Sequence, residues 1–597
     1  MSTGYILGLS RGHNAGACLL KDGKIVFAIE EERLSRHKYD GGPYACMMKV
    51  KEYTDKVDAI IICHTQPVEL AGKCEYTGDN NYTAMARKLG LIERKEDVWN
   101  HPQVIDISDQ HHKAHAACAF YRSGFDEAAA VVADGAGSAR QASFGKDVVT
   151  LWEVETILDC SFPANLKTLY KHWGCRDAVN VAFNSSADAS FLKEEGTYTE
   201  VISGHAGITK VYEAVTGYCG FEAIEAGKTM GLFPYGKPND NIPSFFLKNS
   251  RLPLSDRNVI IPTYPNAAIV NHNMYSEITI DHETEVDLTE LQKTRDLAYA
   301  VQKDTQEQVL DLILTASKLS NKKKVVLSGG FGLNCVANYY YLDRLNEEGI
   351  ELYVEPVSND AGTAIGAALL YYYSLSDSTE KIDSEIYLGP KYDYTENEIQ
   401  DIVEKYSGTI KDATHSDIID LMTSKNIVSV FQGRSENGPR ALGNRSLMFD
   451  PTFEDGKDFV NEIKRREYFR PFAGSILEED VHEWFDLRGM ESSPTMMYAV
   501  NCQPGIEEKI PSIIHVDGTC RIQTVNRDQN PHYYDIIKAF KERTGVPIIF
   551  NTSFNLGGEP LVETLEDALW TLKESRIEYL YLPEYKKLIT IGNFQVV

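Results

Sequence analysis

The chain has 597 residues, 43% apolar and 25% charged, which are ordinary proportions for a folded protein and exclude wholesale disorder. Asp and Glu outnumber Lys and Arg by 87 to 60, and the resulting charge of −27 argues against a general nucleic-acid coat or a membrane-surface role. The length corresponds to about four units of ~150 residues, although one large α/β domain can absorb two of them. Eleven Cys, an odd number without a C-x-x-C pair, read as reduced thiols. Met1 to Tyr5 lead into a strand-like segment without a signal-like pattern, and no apolar stretch reaches the ~18–20 residues that span a bilayer. The expectation is a soluble, cytoplasmic, multidomain protein.

In chain order, two β-rich runs, 15–20 and 24–30, flank Lys21-Asp22-Gly23, a strong hairpin signal. Ala59 to Cys63 reads as a strand, His111 to Tyr121 as a helix, and Ala128 to Ala133 as a buried strand ending in Asp134-Gly135-Ala136-Gly137. The same order returns at Lys324 to Leu327, a strand followed by the tight Ser328-Gly329-Gly330 loop and a helix. Leu352 to Val354 then lead to Asp360-Ala361-Gly362-Thr363, which opens an Ala/Gly-rich helix. Loops that end strands in this way lie at the carboxyl edge of a sheet, where α/β proteins place ligands. A polar stretch around Ser374–Glu385 is the linker candidate, dividing the chain into domains 1–380 and 381–597. Beyond it come strands at Ile427–Phe431 and Pro547–Phe550 and a helix at Tyr533–Thr544. Between 140 and 320 a helix over Asp296–Ser317 is legible, and the packing is not.

The sharpest metal signal is His111-His112-Lys113-Ala114-His115, because two His four apart share one helix face. The zinc-protease signature needs Glu directly after the first His; His112 stands there, which disfavours a metalloprotease. The glycine-flanked carboxylates Asp134 and Asp360, at predicted strand ends, complete a two-His, two-Asp set that suits iron(II), manganese or zinc without choosing among them. Alone, the His pair reads equally well as helix decoration; the two carboxylates favour the metal reading. The loops DGAG (134–137) and SGGFGLN (328–334) resemble phosphate-cradling turns, and 225–238 (EAGKTMGLFPYGKP) is either a third such loop or a simple turn. No GxxxxGK[ST] is present. In the second half, QGRSENGPRALGNRS (432–446) and NEIKRREYFRPFAGS (461–475) concentrate cations, including Arg434, Arg440, Arg445, Lys464 and Arg470. Arg forks match phosphate and carboxylate, so a small phosphorylated anion is the natural guest, against a salt-bridged surface as the alternative. His13, in a loop after a strand, is a candidate general base.

Taken together, GLSRGHNAGACLL, EERLSRHKYD, HHKAH, DGAG, GKTMGLFPYG, SGGFGLN, NDAGTAIGAA, GPRALGNRS, KRREYFRPFA, HVDGTCR and FNTSFNLGGEP, in this order, resemble the O-carbamoyltransferase family of nodulation and antibiotic-tailoring enzymes of the tobramycin carbamoyltransferase type. One departure is Asn14, where the family usually has Asp after the His. The resemblance implies an α/β chain whose N-terminal domain is actin/sugar-kinase-like, similar to the threonylcarbamoyl-tRNA transferase component. The C-terminal domain would be of the twisted α/β, adenylate-forming (YrdC-like) type. It implies carbamoyl phosphate and ATP, with Mg2+, as substrates, a carbamoyl-adenylate formed in the C-terminal domain, and transfer to an acceptor hydroxyl in the N-terminal one. By matching position, Arg440, Lys464, Arg470, Arg521 and Asn551 would bind carbamoyl phosphate or ATP, while Gly329, Gly330 and Asn334 would face the nucleotide. His111, His115, Asp134 and Asp360 would hold a metal, iron(II) by resemblance. His13 would act as the base, with Lys38 as a cationic helper. A small-molecule or sugar hydroxyl is the expected acceptor and hydroxymethylpyrimidine in DNA the alternative; a homodimer is implied by resemblance only. Competing readings are a kinase-like ATPase, which leaves the C-terminal cations without a task, and a non-catalytic nucleotide-binding module.

Overall fold

A computed structural model describes residues 4–592 apart from 73–78, 94–100, 102, 145, 176–179, 187–195, 205, 243, 247–259, 263–267, 271–286, 376–379 and 383. Part of the expected linker therefore lies outside the described residues. The chain divides into two compact units, one comprising 1–31 and 41–384 and the other 32–40 and 385–597. Among the described residues no helix is long and apolar enough to cross a membrane.

The first unit opens with β1 (Tyr5–Ser10), β2 (Gly16–Lys21), β3 (Lys24–Glu30), β4 (Ala59–Cys63) and β5 (Val104–Asp106). They form one sheet in the order β3-β2-β1-β4-β5: an antiparallel meander to which β4 and β5 add in parallel. Asp22 and Gly23 both have positive φ, as a tight D-G hairpin turn requires. This strand order agrees with the actin/sugar-kinase-like expectation. A second sheet runs β10-β11-β9-β8-β6-β14-β15, with β7 pairing β8. Its strands are β6 (Glu127–Ala133), β7 (Ala139–Phe144), β8 (Asp147–Ser161), β9 (Asn165–Gly174), β10 (Asn180–Ser186), β11 (Thr197–Ser203), β14 (Lys324–Ser328) and β15 (Glu351–Val354). Two short strands, β12 (Ile260–Pro262) and β13 (Ala268–Val270), pair separately.

Two helices lie between these sheets. The Ala361–Leu375 helix packs on β1, β2 and β4, and also on the His111–Arg122 helix, which packs in turn on β6 and β14. Sandwiched in this way, the His111–Arg122 helix is buried along every residue. The close crossing needs glycine: a Cβ on Gly366 would stand 1.8 Å from the Ala114 carbonyl oxygen. The stretch 225–238 is not an open loop, because Ala226–Leu232 is helical and Lys228 pairs with Glu225 at 2.8 Å.

The second unit carries one sheet in the order β16-β25-β24-β17-β18-β23-β19-β22-β21-β20. The strands are β16 (Gly408–Asp412), β17 (Val428–Phe431), β18 (Arg445–Phe449), β19 (Ala473–Leu477), β20 (Phe485–Asp486), β21 (Ala499–Cys502), β22 (Thr519–Val525), β23 (Ile548–Ser553), β24 (Tyr579–Leu582) and β25 (Lys587–Ile591). Helices such as Pro531–Thr544, whose Ile536, Ile537 and Phe540 are buried, cover the mixed sheet, in agreement with the α/β expectation. Register places Met448, Asn551, Ala473, Arg521 and Ala499 in one row across five strands, so their side chains share a face.

Candidate metal centre and anion site

The His111–Arg122 helix presents His111 and His115 one turn apart, as the spacing predicts. Asp134 directly follows β6 and Asp360 directly precedes the Ala361–Leu375 helix, and all four side chains are buried. Their ligand atoms lie within 4.8 Å of one another. The two Nε2 atoms are 3.2 Å apart; Asp360 Oδ1 is 3.5 Å from His111 Nε2 and 3.6 Å from His115 Nε2, and Asp134 Oδ2 is 3.8 Å from His111 Nε2. Donors held ~2.0–2.2 Å from a common ion lie about 3–4 Å apart, so the cluster matches one bound cation. With both imidazoles neutral, as metal ligation requires, the two carboxylates leave a charge that a divalent cation balances. The residues therefore fit the expected metal, and their chemistry does not choose among iron(II), manganese and zinc.

The electrostatics point the same way. Burial opposes ionisation of Asp360, but His13, His111 and His115 outweigh it and hold the carboxyl well below the ordinary range. Burial and the Asp360 charge work against Asp134, and His115, His111 and His112 still keep it low. For His111, burial disfavours the imidazolium, yet the Asp360 hydrogen bond and charge raise its pKa well above the ordinary value.

His13 stands at the rim. Its side chain is 58% exposed, Nε2 lies 3.8 Å from Asp360 Oδ2, and Nδ1 is 2.8 Å from the Asn14 side-chain oxygen. Burial works against its protonation, but Asp360, the Asn14 contact, Asp134 and Glu213 raise its pKa. Lys38 belongs to the second unit, where its ammonium pairs with Glu32 at 2.9 Å. Gly329 has φ +87°, and a Cβ there would meet the Ala133 carbonyl oxygen at 2.4 Å. The Gly330 N–H donates to Asp134 Oδ1 at 2.9 Å, tying the second glycine loop to the cluster. Asn334 is committed internally: it caps the Cys335–Glu347 helix by accepting from the Ala337 N–H and exchanges hydrogen bonds with Gln302.

Several contributors were not among the predicted site residues. Cys63 at the end of β4 and Ser328 at the end of β14 contact the outer nitrogens of His111 and His115. His112 turns away to Thr156 at 2.8 Å and is held neutral, at about 4, primarily by burial. Glu153 accepts from the Ser138 N–H and pairs with Lys171, bracing the start of the helix. Only folding juxtaposes these residues.

In the second unit, the loop before β18 is built on Glu436, whose Oε1 accepts the N–H groups of Leu442, Asn444 and Arg445. Arg440, Arg470 and Arg521 lie near enough to Arg466 for their charges to act on it. Burial first, then the charges of Arg470, Arg521 and Arg440 against Glu467, push the Arg466 guanidinium well below its ordinary value. A guanidinium does not give up its proton here, so the direction reports unbalanced positive potential. The Arg466 and Arg521 Nε atoms are buried without a hydrogen-bond partner. Arg466 is absent from the predicted set although KRREYFRPF contains it, and the charges of the other three act on it. Arg470 also reaches Glu467 at 3.5 Å. Lys464 is engaged by its own chain: its ammonium donates to the Ser553 and Asn555 carbonyls and to Asn555 Oδ1, fastening the 553–555 turn. Asn551 donates to Ser475 at 2.9 Å, and its Oδ1 is buried and unpaired.

Comparison with known proteins places both halves. Residues 68–369 match the carbamoyltransferase N-terminus model and residues 419–587 the carbamoyltransferase C-terminus model. Nodulation protein NolNO of Sinorhizobium fredii is 29% identical, over 96% of this chain and 78% of that protein. Nodulation protein NolO of Bradyrhizobium diazoefficiens is 33% identical, over 63% and 68% respectively. The uncharacterised protein sll1178 of Synechocystis is 29% identical, over 97% and 96%. The family models meet the buried His/Asp cluster in one unit and the guanidinium cluster in the other, and the chain belongs to the carbamoyltransferase family, a family of transferase enzymes.

Proposed function

We propose that the chain is an ATP-dependent O-carbamoyltransferase that activates carbamoyl phosphate in its second unit and delivers the carbamoyl group to a hydroxyl in its first. The observation that carries this reading is the guanidinium cluster of Arg440, Arg466, Arg470 and Arg521, with two buried Nε donors unspent. A kinase-like ATPase would have no use for it. Nitrogen donation makes the carbamoyl carbon a poor electrophile, so transfer needs a good leaving group. Carbamoyl phosphate gives up phosphate to water, and the resulting carbamate oxygen attacks the α-phosphorus of ATP, releasing pyrophosphate. The guanidinium groups bind the phosphoryl oxygens and balance their charge. Asn551, in register with Arg521 through Ala473, has an unpaired Oδ1 that suits a carbamoyl N–H.

In the first unit the acceptor oxygen attacks the carbamoyl carbon, the bond to the adenylate oxygen breaks, and AMP leaves. Asn14 engages His13 Nδ1, which leaves Nε2 to take the hydroxyl proton. A divalent metal on His111, His115, Asp134 and Asp360, iron(II) by family resemblance, would offset the charge on the departing phosphate. Gly329 and Gly330 let backbone approach a nucleotide closely, and Asn334 holds the helix behind them. The acceptor is a small-molecule or sugar hydroxyl; the charge of −27 opposes duplex DNA.

The test is to incubate the protein with ATP, iron(II) and carbamoyl phosphate and follow phosphorus by NMR, omitting carbamoyl phosphate as the control. Pyrophosphate dependent on carbamoyl phosphate is expected, lost in Arg521→Ala and retained in His13→Ala. ADP in place of pyrophosphate would transfer the chain to the kinase-like reading.

A further inference from the structure

The two imidazoles of the cluster converge through Nε2, and what holds them in that sense lies on their outer nitrogens. Cys63 Sγ is 3.9 Å from His111 Nδ1, and Ser328 Oγ is 3.4 Å from His115 Nδ1. Cys63 and Ser328 are the last residues of β4 and β14, one from each of the two larger sheets of the first unit, and both are buried. An imidazole binds a metal through the nitrogen that carries no proton, so with Nε2 of both rings turned to the carboxylates the proton of each neutral ring sits on Nδ1, where the Cys63 sulfur and the Ser328 hydroxyl oxygen are placed to accept it.

We infer that Cys63 and Ser328 are positioning residues that fix the Nδ1–H form of His111 and His115, so that both Nε2 lone pairs face Asp134 and Asp360. This rests on the metal reading of the cluster. A metal-binding imidazole needs an acceptor on its other nitrogen to set ring and tautomer. Here the acceptors are side chains at two strand ends rather than carboxylates, so orientation is supplied without further negative charge beside Asp134 and Asp360.

The test uses the full chain and Co2+ alone, read by its visible absorption and by titration, with thermal unfolding to verify the fold. Cys63→Ala and Ser328→Ala should each weaken Co2+ binding about 10–100-fold. Cys63→Ser and Ser328→Thr, which keep an acceptor, should restore binding to within a few fold. Cys63→Val keeps the volume without the acceptor and should behave like Cys63→Ala. Binding by folded Cys63→Ala and Ser328→Ala equal to wild type would overturn the inference, as would full binding by Cys63→Val, which would make Cys63 a packing residue. Wild-type protein that binds no Co2+ would remove the metal reading itself, and the inference with it.

Discussion

Gly366 offers a test in which two effects of opposite sign compete. In a helix interior, Gly→Ala is ordinarily worth about 1 kcal/mol in favour of Ala. At Gly366 the added Cβ would stand 1.8 Å from the Ala114 carbonyl oxygen and 2.7 Å from its carbon, and real Cβ atoms keep at least 3.0 Å. Backbone of a helix buried on every face cannot yield as the tip of a flexible side chain would, so the helices must part by about 1 Å. Forced overpacking of a filled core costs roughly 1–3 kcal/mol, occasionally more, which outweighs the propensity gain. Because Ala114 lies between His111 and His115, the displacement also moves both imidazoles relative to Asp134 and Asp360, where an error of about 1 Å can cost ~10²-fold in activity. Gly217, on the exposed side of the Ile208–Tyr218 helix with nothing within 4 Å of its Cβ position, is the control. Urea unfolding followed by circular dichroism should show Gly366→Ala less stable than wild type and Gly217→Ala more stable by up to about 1 kcal/mol. A Gly366→Ala protein as stable as wild type and equally able to bind metal would refute the packing argument.

Three further outcomes are expected. Arg466→Met removes a cation already opposed by Arg470, Arg521 and Arg440, so the free protein should keep its stability, while inorganic phosphate, which raises the wild-type melting temperature by binding the folded state, should lose that effect; undiminished protection would disprove the anion site. Despite the opposition of burial, Lys171, His112 and the Ser138 N–H keep the Glu153 carboxyl below its ordinary value, so its contribution to stability is present above the unfolded value of 4.5 and is lost as pH falls through the lower folded value. Glu153→Gln should accordingly destabilise the protein at pH 7, and the wild-type advantage should shrink on acidification; a gap independent of pH would contradict the ionic role. Asn334→Ala loses the cap of the Cys335–Glu347 helix and the exchange with buried Gln302, and should cost about 0.5–2 kcal/mol for the cap alone; unchanged denaturant unfolding would return Asn334 to a purely ligand-facing role.

Local signals in the chain were sufficient wherever chemistry and geometry are local. The D-G turn, the apolar Ala59–Cys63 run and the glycine-ended strands before Asp134 and Gly329 each specify their own backbone, because φ/ψ preference and hydrophobic run length act over a few residues. The i, i+4 spacing of His111 and His115 likewise sets their common face. The β-strands between 139 and 203 escaped because β8 and β9 pair with irregular register at Glu153/Glu155 and Ile157/Leu158, and because buried Glu153, Glu155 and Thr156 interrupt the apolar pattern. A two-residue period survives neither.

What the amino-acid sequence determined by itself was the set of reactive groups: two imidazoles on one helical face, carboxylates at loop ends, glycines where backbone must come close, and a surplus of Arg in an acidic chain. Tertiary structure alone decided which groups act together. It brought Asp134 and Asp360, 226 residues apart, to the same pair of Nε2 atoms. It engaged Lys464 with Ser553 and Asn555, placed Arg466 among three other guanidiniums, and set Cys63 and Ser328 behind the imidazoles. These pairings depend on sheet order and on the crossing of two buried helices, long-range contacts whose energy comes from burying apolar faces rather than from any property that one segment carries alone.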